Sequence, residues 1–172
     1  MKPSQKINNE ANKFTELNKP TFLKLLFFLS LNFAGLFLGG LFTSQAVTAE
    51  WYTSLNKSPI TPPGWFFGFA WTTIMVCFAF YMTSAHNSVA NKNKLLTLYG
   101  LQWILNFLWN PLFFYLQQVS IALVNITSLA LLITFIMLTY QNKMGWKSVL
   151  IVPYFLWICV ATYLNLYILL NN

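Results

Sequence analysis

Arginine and aspartate are absent from this chain, which has only three glutamates and one histidine. Charged residues make up 8% of it, against roughly 25% in an ordinary soluble domain. No carboxylate lies well inside an apolar segment, so a Ser-His-Asp triad, conventional acid–base catalysis and a carboxylate proton relay all lack their residues. His86 stands alone at a helix end and is a poor ligand for a metal or a haem, so no metal site is expected. The two cysteines, Cys77 and Cys159, sit in apolar segments without disulfide or metal-ligand spacing and read as small packing residues. All ten basic residues are lysines in tails and loops, and such a scatter gives no basic stripe for nucleic acid.

What the chain has in plenty is apolar and aromatic surface, 57% and 19% of its residues. Five apolar segments, at about 21–47, 65–86, 95–116, 121–140 and 149–170, are each long enough to cross a bilayer, which takes about 20 helical residues. The expected fold is therefore all-α, an integral membrane bundle of five transmembrane helices. Residues 1–20 read as a polar cytoplasmic tail. The first span has no A-x-A cleavage site and reads as a retained helix, not a signal peptide. With the N-terminus inside, Lys57 alone among the lysines falls outside. That bias predicts a cytoplasmic-type cell membrane, with the C-terminus and the loop at 48–64 on the extracytoplasmic side.

The stretch Trp51 to Trp71 carries three of the seven tryptophans, and Pro59, Pro62 and Pro63 predict a stiffened loop, not a helix, over 58–64. A lid over a pocket for a flat apolar ligand is one reading, and an interfacial loop with tryptophans at headgroup depth is the other. In the second span, Phe67, Trp71, Phe78 and Met82 recur on one side. In the third, Gln102, Asn106, Trp109 and Phe113 share a face whose amides must look into the bundle or a cavity. Pro111 predicts a bend near Asn110, and residues 117–120 a tight hairpin. The fourth span is aliphatic and reads as scaffold. Along the fifth, Pro153, Trp157, Ala161 and Asn165 form a stripe in which Ala161 leaves space. Gly35-x-x-x-Gly39 offers a flat face for close helix approach, within the monomer or in a dimer.

Three motifs together resemble the translocator protein or tryptophan-rich sensory protein family, once called the peripheral benzodiazepine receptor. They are Trp51-Tyr52-x-x-Leu55-x-Lys57 continuing through Pro62-Pro63-x-Trp65 to Trp71, then Gln102-x-x-x-Asn106-x-x-Trp109 with Phe113-Phe114 and Ala122, and Pro153-Tyr154-x-x-Trp157-x-x-x-Ala161-Thr162-x-Leu164-Asn165. The resemblance covers all five spans in order. It implies an often dimeric bundle whose pocket opens beneath the loop after the first span. The ligands it implies are porphyrins such as protoporphyrin IX, and in some members sterols and benzodiazepine-type or isoquinoline compounds. Carried onto this chain, the pocket would involve Trp51, Tyr52, Pro62, Trp71, Asn106, Trp109, Trp157 and Ala161. Light-driven loss of porphyrin in some bacterial members would fall to Trp71 and Trp157.

Where the family has an aromatic before the double proline, this chain reads Lys57-Ser58-Pro59-Ile60, and nothing basic follows Lys147 to complete a sterol-type pattern. The leading expectation is a porphyrin-binding membrane receptor, sensor or scavenger with no resident cofactor and a homodimeric state. The alternative is a transporter of porphyrin or another lipophile, for which no inverted repeat and no coupling-ion site stand out. A structural partner assembling through Gly35 and Gly39 is a third reading.

Overall fold

The computed structural model describes the backbone of residues 3–172 and the side chains of residues 21–172. The polar tail expected over 1–20 lies outside the fully described residues. Long helices α1 (Pro3–Ala46), α3 (Gly64–Ser88), α4 (Lys92–Asn110), α5 (Val119–Met144) and α6 (Val152–Asn171) form the bundle, with a single-turn helix α2 (Glu50–Ser54) between α1 and α3. The described residues contain no strand. Among the described residues, three stretches are long and apolar enough to cross a membrane by length and composition: Thr21–Ala46, Gly64–Ser88 and Val119–Asn171. The last is folded in two as α5 and α6. Helix α4 is less apolar because it carries Lys92, Asn93 and Lys94 in its first turn and Gln102, Asn106 and Asn110 further on.

Local chemistry sets the boundaries. Pro63 is extended (φ −64°, ψ 152°) and leads into α3, with the Phe66 amide donating to its carbonyl at 2.9 Å. The Asn91 side chain caps α4 by accepting from the Lys94 amide at 2.9 Å. Pro111 cannot continue the α-helical ladder, and the chain widens into a π turn over Pro111–Tyr115, closed by the Leu116 amide donating to the Pro111 carbonyl at 2.9 Å. The expected bend is thus a π turn that begins at the proline. Gln117 then adopts φ +54°, a left-handed conformation rare outside glycine, and reverses the chain into α5. Gly145 takes φ +54° at the end of α5, where a 3₁₀ turn (Gly145–Ile151) leads into α6.

Helix α1 packs on α3 and α4, and α5 packs on α4 and α6. The main core is built from fully buried Phe78, Tyr81, Met82, Leu95, Ile133, Ile136, Tyr154 and Ile158. Amides clamp the helices where apolar packing alone leaves rotation free. Asn32 donates to the Met75 carbonyl at 2.9 Å and accepts from the Tyr99 hydroxyl at 2.8 Å. Gln102 donates to the Tyr154 hydroxyl at 2.7 Å, and Asn125 donates to the Leu105 carbonyl at 2.8 Å. The outer surface is apolar, with Phe22, Phe37, Leu131 and Leu170 exposed, as a surface facing lipid chains requires.

The Gly35 and Gly39 face is used inside the monomer. A Cβ on Gly35 would stand 2.9 Å from Trp103 Nε1, and one on Gly39 would stand 2.6 Å from Asn110 Nδ2. Both partners lie on α4, so these glycines seat that helix against α1. Trp103 completes the joint by donating to the Leu31 carbonyl at 2.9 Å.

Candidate functional site

Beneath the 48–64 segment, α1, α3, α4, the π turn and α6 enclose a cavity of about 710 Å³, within the range of about 300–1,000 Å³ usual for small-molecule sites. Four of the five long helices each lend one stripe to the wall: Leu36, Gly40 and Thr43 from α1, continued by Val47 just past its end, and Gly64, Gly68 and Trp71 from α3. From α4 and its π turn come Asn106, Trp109, Asn110 and Phe113, and from α6 Ala161, Leu164, Asn165 and Ile168. These spacings are those of single helix faces. No residue of α5 lines the cavity. Among the described residues, no group of three or more His, Cys, Asp or Glu side chains could hold a metal.

Of the eight residues carried over by resemblance, Tyr52, Pro62, Trp71, Asn106, Trp109 and Ala161 line this one space. Trp51 and Trp157 do not. Trp51 packs edge-on against Phe113 with ring centroids 5.7 Å apart, bracing α2 on the π turn, while Tyr52 rests on Phe114 at 5.5 Å. Trp157 stands behind the wall, packed against the lining residues Phe67 at 5.3 Å and Trp71 at 6.5 Å and against Phe66 at 5.7 Å. It is 7% exposed, and its buried Nε1 has no hydrogen-bond partner.

Two of the wall amides, Asn110 and Asn165, are oriented by hydrogen bonds. Trp109 stacks on Phe113 at 5.0 Å and donates to Asn165 Oδ1 at 3.0 Å, while Asn165 Nδ2 donates to the Val119 carbonyl at 3.0 Å. Asn110 Oδ1 accepts from the Thr43 hydroxyl at 2.9 Å. The third-span face read from sequence divides accordingly. Gln102 is buried in the core, and Asn106, Trp109 and Phe113 reach the cavity.

The covering segment is tied to α6. Asn172 Oδ1 accepts from the Asn56 amide at 2.8 Å, and its Nδ2 donates back to the Asn56 carbonyl at 3.3 Å. Ser58 is buried, caps the Ile60 amide at 3.3 Å and shares a hydrogen bond with the Tyr163 hydroxyl at 3.3 Å. Ile60, where an aromatic was expected from the resemblance, is 63% exposed and lines no part of the cavity. Burial holds the Tyr52 phenol above its ordinary range, so it remains a neutral donor and acceptor at the rim.

Residues the sequence reading did not assign to the wall include Thr43, Asn110, Leu164 and the small Gly40, Gly64 and Gly68. The available signal was a glycine every fourth residue before Trp71, which opens a groove along one face of α3. A Cβ at Gly40, Gly64 or Gly68 would meet nothing within 4 Å.

Comparison with known proteins gives the same assembly an ancestry. The family model for the TspO/MBR family matches residues 27–170. The tryptophan-rich protein TspO of Archaeoglobus fulgidus is 36% identical over 151 residues, covering 86% of this chain and 94% of that protein. The tryptophan-rich sensory protein of Cereibacter sphaeroides is 35% identical over 119 residues, 67% of this chain and 73% of its own. The translocator protein of Bos taurus is 34% identical over 141 residues, 74% of this chain and 80% of its own. With nearly all of the described bundle matched and its helices apolar enough to span, the chain is a membrane protein of the TspO/MBR family.

Proposed function

We propose that the cavity binds a flat tetrapyrrole of the protoporphyrin IX type and that the protein acts as a membrane receptor, a sensor or scavenger of that ligand. The observation that carries this reading is the wall itself. Trp71, Trp109, Phe67 and Phe113 bring aromatic surface to one space of about 710 Å³ under a tethered cover. Aromatic faces give large contact area at low entropy cost, and the wall amides of Asn106 and Asn110 orient what lies between them. Trp71 borders the space and touches Trp157 behind it, which supports light-driven loss of bound porphyrin through that indole pair. The protein works as a homodimer in a cytoplasmic-type membrane, with the covered end of the cavity outside.

Transport across the bilayer is the weaker reading. Fully buried Phe78, Tyr81 and Tyr154 fill the bundle core, and a carrier needs a second way out.

Tryptophan quenching by protoporphyrin IX tests the proposal, in the dark and then under light with the porphyrin spectrum recorded. Saturable dark quenching is expected, followed by a spectral change on illumination. Quenching that rises linearly without saturating would remove the tetrapyrrole assignment.

A further inference from the structure

Lys57 belongs to the lining of a cavity that, among the described residues, holds no carboxylate. The Tyr52 ring covers its ammonium group at 4.4 Å, and the Thr53 carbonyl stands 3.5 Å away, at the outer limit of a hydrogen bond. Glu50 is the one acidic residue in 21–172, and it does not line the space. Lys57 is half-buried as a residue and its ammonium contacts only neutral groups, so an anionic group on a ligand would be a stronger partner than either.

The backbone on both sides of Lys57 is also fixed. Asn56 is held by both atoms of the Asn172 amide, and Ser58 is buried against Tyr163. The lysine is therefore presented from a pinned stretch, which lowers the ordering cost of any contact it makes. Thr61 and Tyr52 bring hydroxyl groups to the same lining.

We propose that Lys57 recognises a carboxylate on the ligand, so that the cavity selects a flat apolar body bearing an acid group at its edge over a neutral lipophile of the same shape. This rests on the tetrapyrrole reading of the cavity and adds the ligand's head group to it. The ammonium–carboxylate contact is charge-assisted and stronger than a neutral hydrogen bond.

Protoporphyrin IX and its dimethyl ester share a ring and differ in the charge of two side chains, so they separate the two claims. Binding of each is measured by tryptophan quenching in neutral-lipid nanodiscs, with the wild type, Lys57→Met and Lys57→Arg. The expected result is a preference of about tenfold or more for the free acid in the wild type, kept in Lys57→Arg and lost in Lys57→Met. Retained ester binding by Lys57→Met shows that this variant is folded. Equal wild-type affinity for acid and ester overturns the lysine proposal and leaves the tetrapyrrole site standing, whatever the variants do. An acid preference that survives in Lys57→Met also overturns it. Saturable binding of neither compound overturns both.

Discussion

Trp109 Nε1 and Asn165 Oδ1 lie 3.0 Å apart, joining a cavity-wall indole of α4 to an amide of α6 that also holds the first carbonyl of α5. Three helices meet through one side chain. Replacing Asn165 with alanine leaves the part-buried Trp109 indole N–H without a partner and removes the contact to the Val119 carbonyl. That change should lower stability by about 1–3 kcal/mol and weaken porphyrin binding severalfold as Trp109 loses its orientation. Thermal unfolding and quenching titrations read the two effects. Unchanged unfolding would show that the bonds contribute little.

Gly68 lines the cavity from α3, and a Cβ there meets nothing within 4 Å. Gly68→Leu should therefore fold, with a helix propensity gain of up to about 1 kcal/mol, while occupying ligand space. Binding should fall at least tenfold. Wild-type affinity in a folded Gly68→Leu protein would move the ligand elsewhere.

Adjacent glycines of α1 should behave differently. At Gly39 an added Cβ stands 2.6 Å from Asn110 Nδ2, whereas at Gly40 it meets open space. Gly39→Ala displaces the Asn110 amide from its contact with Thr43 and should cost about 1 kcal/mol, with Gly39→Leu worse, while Gly40→Ala is neutral or stabilising. Because Gly39 packs on α4 of its own chain, its variants should lower unfolding temperature at every protein concentration. A purely concentration-dependent loss would assign the face to a partner copy.

The tether from Asn172 to Asn56 bridges α6 and the cover by two hydrogen bonds. In Asn172→Ala the cover is held by Ser58 and aromatic packing, so amide hydrogen exchange over 55–62 should quicken and porphyrin should dissociate faster. Exchange protection equal to the wild type would mean that the aromatic contacts hold the segment alone.

Trp71→Phe and Trp157→Phe separate binding from light chemistry. Phenylalanine retains an aromatic face at each position and removes the indole, so dark affinity should fall only a few-fold while light-driven loss of porphyrin stops. Trp157→Phe loses no hydrogen bond, since the Nε1–H has no partner, so any drop in its stability reports the packing volume vacated beside Phe66 and Phe67. Undiminished photodegradation in the double variant would end the indole assignment.

The five-helix membrane fold was legible because it depends on composition and length. Apolar runs of about 20 residues broken by lysines or prolines leave the backbone only one way to satisfy its hydrogen bonds in lipid. The amides were legible too, since Gln102 and Asn106 at membrane depth have to face inward. Which way each faces was not. Gln102 meets the Tyr154 hydroxyl in the core, whereas Asn106, one turn on, reaches the cavity. That division depends on where α6 lies, and nothing in the local sequence of α4 encodes it.

The same limit explains Trp51 and Trp157. Motif and spacing put both with the other aromatics, but only packing reveals that Phe113 and Phe67 stand at their faces. It also explains α2, a single turn inside a stretch that otherwise reads as loop, held by Trp51 and Tyr52 resting on the π turn. By itself the sequence determined helical class, membrane residence and family, since each follows from residue type and order along the chain. Tertiary structure alone decided that four helix faces and a cover enclose one space, that Gly35 and Gly39 face α4, and that Lys57 lines the cavity. Those facts depend on the rotation of each helix about its own axis, which is fixed by the summed packing of all its neighbours and not by any one segment.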